Sequence, residues 1–333
     1  MFFRRLKSTT QGPPVPFVQK MIGLTIGLAM VWLVFAPGSP LNKPKGGDAG
    51  SASKDAAPAD GAATSGGAAR DEARAKRTHS PAIASTSPAI TDSLVLLGLA
   101  DHIVGRSPYC RSVDASLPVV GDLRSFDAER LALAAPDVLL VQPPLAGVDP
   151  ALRRFCDEHA IRLVARRLES LADVDALVGD IAEVFGVEPN VGGNALERNL
   201  GSARASIAAG AQAAEGARKV LLVVSAEPFL AVGKQTYLDE LLGGADLANA
   251  LGREGYVELS AEALMTMSPE TVIGISETAE GAARIEELLR RVPWKENMTP
   301  KIAVDAVPEL LSPSLAAVAH RSDLVRLAEA AKW

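Results

Sequence analysis

Residues 127–141 read DAERLALAAPDVLLV, and residues 260–274 read SAEALMTMSPETVIG. Each stretch begins with a residue type that favours the helix N-cap, places a Glu in the first turn, and passes through a Pro-acid pair into an apolar strand. A helix followed by a buried strand is typical of α/β units with parallel sheets. Because the two stretches lie about 130 residues apart, they predict two related α/β lobes and not a short-period solenoid.

A second pair of segments supports this repeat. Residues 96–101 read LLGLAD and residues 241–246 read LLGGAD, each predicting a helix end, a Gly C-cap and a turn into the next strand. Short apolar runs alternate with helical patterns over the whole body, as βαβ units require. Strands are predicted at 82–85, 102–106, 138–141, 162–165, 219–224, 271–275 and 301–304, and helices at 90–98, 128–134, 174–185 and 236–241.

The fold prediction is therefore an α/β body of two lobes, at 81–190 and 217–333, joined by a connecting helix within 191–216. The helical periodicity of that joining segment runs from 194 to 212. Glycines at its start and inside it weaken the prediction by roughly 1 kcal/mol for each one within the helix.

The N-terminal residues 1–37 predict a membrane anchor. Residues 21–36 read MIGLTIGLAMVWLVFA, an uncharged run that with two further apolar residues is just long enough to cross about 30 Å of hydrocarbon. Only basic charges precede it, so we expect a single pass with a cytoplasmic N-terminus. A cleaved signal peptide is the alternative, whereas a lipoprotein anchor is excluded because no Cys follows the run.

Residues 38–80 predict a disordered tether. They are rich in Gly, Ala, Ser, Pro, Asp and Lys, and such a segment cannot bury enough apolar surface to fold. A flexible coil of this length spans roughly 35 Å root-mean-square. We therefore expect the body to lie outside the cytoplasm, on a flexible tether that lets it move over a membrane-bound partner.

Composition and motifs exclude several function classes. The formal net charge of −6 gives no electrostatic case for nucleic acid. The chain lacks Walker A, GxGxxG and GxSxG sequences, so we expect a protein that is not an enzyme. Its four His residues have no metal-ligand spacing, so no bare metal ion site is expected. Cys110 and Cys156 are predicted to be buried thiols, with one disulfide as the alternative.

Several segments resemble the iron-siderophore and vitamin B12 substrate-binding proteins of ABC importers. In order along the chain they are IASTSPAIT at 83–91, LGLADHIVG at 97–105, VGD at 120–122 and VGKQTYLDELLGG at 232–244, together with the repeat quoted first. The resemblance covers the body from about 81 to 327. It implies two Rossmann-like lobes joined by one long helix, and a cleft that admits bulky metal chelates.

The resemblance also implies a partner and its contacts. Members of the family carry one surface Glu on each lobe for docking to the ABC permease, and the matching residues here are Glu129 and Glu262. The repeat singles out the same two residues. A metal would arrive inside the chelate, so no resident cofactor is implied.

Ligand candidates follow from the rule that open α/β sheets bind ligands beyond the carboxyl ends of their strands. Tyr109 is the first candidate because an aromatic ring can lie flat against a macrocycle. The stretch 107–110 resembles that of vitamin B12 binders, so a corrinoid is expected, with an iron siderophore, heme or a tethered sensor role as alternatives. The candidate residues on these loops are Ser87, Pro88, Tyr109, Gln142, Glu227, Phe229 and Ser276.

Overall fold

The structure of the body is a computed structural model. It describes residues 80–190, 192–209, 216–267, 269–294 and 299–331. The predicted anchor at 1–37 and the predicted tether up to 79 lie outside these residues. In the described ranges, no helix is both long and apolar enough to cross a bilayer.

The first lobe is built on a parallel sheet covered by helices. Its elements are β1 (Ile83–Ser85), α1 (Pro88–Leu96), β2 (Ile103–Gly105), α2 (Ala128–Ala134), β3 (Val138–Val141), α3 (Pro150–Glu158), β4 (Arg162–Ala165) and α4 (Leu171–Phe185). The strand order is β2-β1-β3-β4, and all neighbours run parallel. Strand β3 is buried along its whole length, which explains its uninterrupted Val/Leu sequence.

The second lobe has a larger, mixed sheet. After the connecting helix α5 (Ala195–Ala209), its elements are β5 (Arg218–Ala226), β6 (Phe229–Val232), α6 (Tyr237–Gly243), β7 (Leu247–Asn249), β8 (Tyr256–Glu258), α7 (Ala261–Met267), β9 (Thr271–Ser276), α8 (Ala279–Arg291), β10 (Lys301–Ala306), α9 (Leu315–Ala319) and α10 (Arg321–Ala330). The strand order is β10-β9-β5-β6-β8, and β7 pairs with β5. Strand β6 runs antiparallel to both β5 and β8.

The connecting helix α5 has a defined start and one buried face. The side chain of Asn194 accepts the N–H of Glu197 at 3.0 Å, and the Glu197 carboxylate accepts the N–H of Asn194 at 2.9 Å. Leu200, Ala203 and Ile207 form the buried face. The helix packs against α4 of the first lobe and against α9, which follows the second sheet. Residues 210–212 of the predicted helix lie outside the described residues.

The predicted elements are confirmed, and the errors are specific. All seven predicted strands and the four predicted lobe helices are present, with ends displaced by at most three residues. The sequence analysis missed β6, β7 and β8. Phe229 was expected on a loop at a strand end, but it is the first residue of β6. β6 is the short apolar run FLAV, which periodicity alone does not assign to a strand.

The repeated stretch forms the same unit in both lobes. Asp127 accepts the N–H of Arg130 at 3.0 Å, and Ser260 accepts the N–H of Ala263 at 3.2 Å, so both predicted N-caps are confirmed. The shorter repeat does not have the same backbone conformation in the two lobes. Gly98 has a φ of 80° after α1, whereas the corresponding Gly lies inside α6 and Asp246 takes the left-handed conformation at 54°.

Each lobe has its own apolar core. Leu131 of α2 and Leu264 of α7 occupy equivalent positions in the repeat and are 0% and 1% exposed. Leu131 packs in the core of the first lobe and Leu264 in that of the second. Burial of a Leu side chain contributes roughly 1.5–3 kcal/mol, so the repeated Leu holds each helix on its sheet.

Candidate functional site

Polar residues of the first lobe gather where its strands end. Ser87, directly after β1, is only 1% exposed and donates from Oγ to Oε1 of Gln142 at 2.9 Å. Gln142 follows β3, the neighbouring strand, so this hydrogen bond ties two strand-end loops together. Pro88 is half-buried at the first position of α1, where Pro favours the start of a helix. Ser87 is thus committed to internal contacts, while Gln142 remains half-buried at the edge.

Tyr109 is presented to solvent by a tight turn after β2. Ser107 Oγ accepts the N–H of Tyr109 at 3.2 Å, and Ser107 O accepts the N–H of Cys110 at 3.1 Å. Arg106 braces the same loop by donating to the carbonyls of Ser107 at 3.1 Å and Ala115 at 2.8 Å. The Tyr109 side chain is 40% exposed. The loop therefore offers an aromatic ring at the carboxyl edge, as the sequence predicted for a ligand residue.

The two cysteines are buried free thiols, as expected. Cys110 faces inward, with its Sγ 3.0 Å from Oγ1 of Thr91, and burial raises its pKa. Cys156 lies in α3 within the core of the first lobe, and burial raises its pKa to about 11. Both residues are at most 3% exposed, so neither offers sulfur at the surface.

The second-lobe candidates separate into one exposed residue and two buried ones. Glu227 is exposed in the turn between β5 and β6. Phe229 is 7% exposed and packs into the core of the second lobe, so little of its ring is available at the surface. Ser276 ends β9 and is 6% exposed; Gly281 of α8 approaches its Oγ so closely that no Cβ atom would fit.

One ion pair that the sequence analysis missed joins the strand-end loops of the two lobes. Nη2 of Arg111, two residues after Tyr109, lies 3.2 Å from Oε1 of Glu277, which directly follows β9. The side chains are 79% and 38% exposed. The loop carrying Tyr109 therefore reaches the second lobe at the carboxyl end of β9.

Other contacts join the lobes more firmly, beside the connecting helix. The N–H of Leu315 in α9 donates to Oγ of Ser93 in α1 at 3.0 Å, and both groups are buried. Glu240 of α6 accepts the N–H of Leu171, the first residue of α4, at 2.6 Å. That carboxylate lies at a helix N-terminus, where the helix dipole favours negative charge. These hydrogen bonds are less accessible to water than the pair of Arg111 and Glu277.

The two predicted docking residues have matching positions. Glu129 and Glu262 are exposed in the first turns of α2 and α7. Their surroundings differ, because Arg130 lies 3.4 Å from Asp127 next to Glu129, whereas Ala263 takes the place of that Arg in the second lobe. A hydrogen bond with Ser260 lowers the pKa of Glu262 and keeps it ionised.

A surface concavity lies between the Tyr109 loop and the start of α2. Its volume is about 340 Å³, and its walls include Pro108, Phe126, Asp122, Asp127 and Arg130. A second concavity of about 330 Å³ lies away from the cleft, between α5 and the C-terminal helices. Among the residues that the structure describes, no three His, Cys, Asp or Glu side chains converge as a metal site.

Residues 83–299 match a protein family described as periplasmic binding protein. The chain belongs to this periplasmic binding protein family. The family consists of substrate-binding proteins of transporters and not of enzymes, and its members work outside the cytoplasm. No curated protein sequence matches the chain.

Solved structures of periplasmic binding proteins have the same fold. The heme-binding protein HutB of Vibrio cholerae has a TM-score of 0.58 and 20% identity, with 75% of this chain and 99% of that protein covered. The heme-binding protein RhuT from Roseiflexus sp. RS-1, in apo form, has a TM-score of 0.57 and 20% identity, covering 76% and 100%. The vitamin B12 binding protein BtuF of Vibrio cholerae has a TM-score of 0.51 and 13% identity, covering 75% and 96%. At these identities the similarity shows the fold.

The burial of Cys110 and Cys156 predicts slow thiol chemistry. We expect neither to react with a thiol reagent at pH 8 in the native protein, because both are at most 3% exposed and the reactive species is the thiolate. The rate for Cys156 should climb with pH until about 11, its pKa. In denaturant without reductant, both thiols should be titrated. A count of zero there would mean a disulfide and contradict the structure.

Proposed function

We propose that this protein is the extracytoplasmic binding subunit of an ABC importer and that it captures a macrocyclic metal chelate between its lobes. The observation that carries the proposal is the position of Tyr109. Its ring is 40% exposed on a braced turn at the carboxyl edge of the first sheet, in the loop that reaches the second lobe through Arg111 and Glu277. An aromatic ring in such a cleft supplies a flat apolar surface for a macrocycle.

A corrinoid is the first candidate ligand. The stretch 107–110 resembles the corresponding stretch of vitamin B12 binders, and the vitamin B12 binding protein BtuF has the same fold. Corrinoids are bulky, and their amide-bearing rim does not require a cluster of cations. This agrees with the cleft loops, where Arg106 is committed to backbone carbonyls and Arg111 is paired with Glu277.

Heme is the second candidate, and a specific observation favours it. Arg111 lies two residues from Tyr109 and is 79% exposed, so a guanidinium is within the same loop as the aromatic ring. Carboxylates of a heme would pair well with such a group. The phenol of Tyr109 is also one of the side chains that can hold heme iron. The fold similarity to the heme-binding proteins HutB and RhuT supports this candidate to the same degree as BtuF supports the corrinoid.

Docking to the permease would use Glu129 and Glu262. Both are exposed at the starts of helices that the repeat places equivalently in the two lobes. Exposed ion pairs contribute only about 0–1 kcal/mol each, so their role would be to set register and speed encounter more than to supply affinity. The N-terminal residues 1–37 would anchor the protein in the membrane and residues 38–80 would tether the body near its permease.

The ligand proposal is tested by calorimetry on the purified full-length protein with cyanocobalamin, hemin and a ferric hydroxamate. We expect heat with a macrocycle, and we expect Tyr109→Ala to weaken that binding roughly tenfold, about 1.4 kcal/mol, because the stacking surface is lost. Tyr109→Phe keeps the ring and should retain affinity; a loss equal to that of Tyr109→Ala would instead assign the phenol to the metal.

The matched control is Leu123→Ala, which removes a side chain 43% exposed in the same connection between β2 and α2. It should leave binding unchanged. Heat with the hydroxamate alone would reassign the ligand to a siderophore. Full affinity in Tyr109→Ala would remove Tyr109 from the site.

The docking proposal is tested by uptake in cells that express the full-length protein with its permease and ATPase. Glu129→Ala combined with Glu262→Ala should abolish uptake, because both register contacts are lost, and should leave ligand affinity within twofold. The control combines Glu158→Ala and Glu329→Ala, two exposed carboxylates on other helices. Intact uptake in the first double variant, or equal loss in the control, would contradict docking through these residues.

A further inference from the structure

The contacts between the lobes differ in how far they are exposed to water. Beside the connecting helix, Leu315 and Ser93 form a buried hydrogen bond, and Glu240 accepts the N–H of Leu171 at the start of α4. At the strand ends, the lobes are joined by the exposed pair of Arg111 and Glu277, with 3.2 Å between Nη2 and Oε1. The exposed pair lies in the loop that carries Tyr109 and is the most accessible of these contacts.

We propose that Glu277 determines the charge preference of the cleft by occupying Arg111 in the ligand-free protein. This inference rests on the proposed function, because it assumes that the chelate enters beside Tyr109. A ligand with carboxylate groups must take the guanidinium of Arg111 from Glu277. A ligand without net negative charge forms no ion pair with Arg111, so Glu277 does not compete with it.

Because the pair is exposed, this exchange costs little free energy. Arg111 is 79% exposed and Glu277 is 38% exposed, and ion pairs with such access to water contribute at most about 1 kcal/mol. The pair therefore opens readily and closes again when the cleft is empty. The Glu277 carboxylate stays at the edge of the second lobe after it is displaced, where it repels an anionic ligand over a short distance.

The other cations near this loop, Arg106 and Arg130, have partners within the first lobe, which leaves Arg111 as the cation that contacts the second lobe. The guanidinium of Arg106 is bound to the carbonyls of Ser107 and Ala115. Ser112, next to Arg111, donates to Oδ1 of Asp92 at 2.6 Å, so the neighbouring acid holds the loop through a hydroxyl. Burial, and secondarily the charge of Glu309, raise the pKa of Asp92. Arg111 thus lies among carboxylates, and removal of the one it contacts should have the largest effect.

The test compares Glu277→Gln with wild type for hemin, which carries two carboxylates, and cyanocobalamin, which has no net negative charge. Glu277→Gln should raise hemin affinity about three- to fivefold, since that is the range an exposed ion pair covers, and leave cyanocobalamin within twofold. Arg111→Gln should lower hemin affinity and make a second change at Glu277 ineffective. The control is Glu280→Gln, which removes an exposed charge from the first turn of α8, three residues away.

An equal rise in hemin affinity in Glu280→Gln would show that the effect comes from the overall electrostatic field and not from the pair with Arg111. That result would overturn the proposal. So would an equal rise for both chelates in Glu277→Gln. A second measurement needs no ligand: spin labels at Arg154→Cys and Ala283→Cys, exposed on opposite lobes, report the distance between them. Wild type should show a narrow distribution that broadens in Glu277→Gln or at high salt, as screening of an exposed pair requires.

Identical distributions in wild type and Glu277→Gln would exclude the pair as a contact that holds the opening. If wild type binds neither chelate, the proposed function fails, and the spin-label distances still decide whether the pair joins the lobes.

Discussion

Burial of two strands on both faces is the constraint from which the site follows. Every residue of β3 and of β9 is buried, so helices must cover both faces of each sheet. Along these two strands, polar side chains occur only at the ends of β9, so polar groups that could meet a ligand lie at the loops that leave the strands. Where strands run parallel, these ends share one edge, and in this protein Arg111 and Glu277 join loops at the two edges. The apolar strands therefore determine which loops are available to bind a ligand, although the strands contribute no group to its recognition.

The contacts between the lobes differ in how much free energy it costs to break them. The buried hydrogen bond between Leu315 and Ser93 costs free energy to break because the freed groups would be left without partners. The exposed pair of Arg111 and Glu277 carries no such penalty, since water replaces each partner. Of these contacts, the exposed pair is therefore the one that costs the least free energy to break.

Local patterns predicted most of the fold. The N-caps at Asp127 and Ser260, the Leu positions that follow them and the buried strands after each Pro-acid pair all depend on neighbours within about ten residues. The sequence also placed Tyr109 correctly at a strand end, since a turn at Ser107 and Pro108 is local information. The prediction for Phe229 was wrong because the environment of this residue is set by strand pairing. Strand β6 lies between β5 and β8, and that pairing buries the ring.

The pair of Arg111 and Glu277 could not be predicted for a related reason. The two residues are more than 160 positions apart in the chain and meet only because two sheets present their carboxyl edges to each other. Each residue alone reads as an exposed charge on a loop. The most direct measurement of the central claim is a crystal structure of the full-length protein with hemin or cyanocobalamin. The account predicts the chelate between the lobes, in contact with Tyr109 and displacing Glu277 or lying beside it. A chelate bound instead in the concavity between α5 and the C-terminal helices would contradict it.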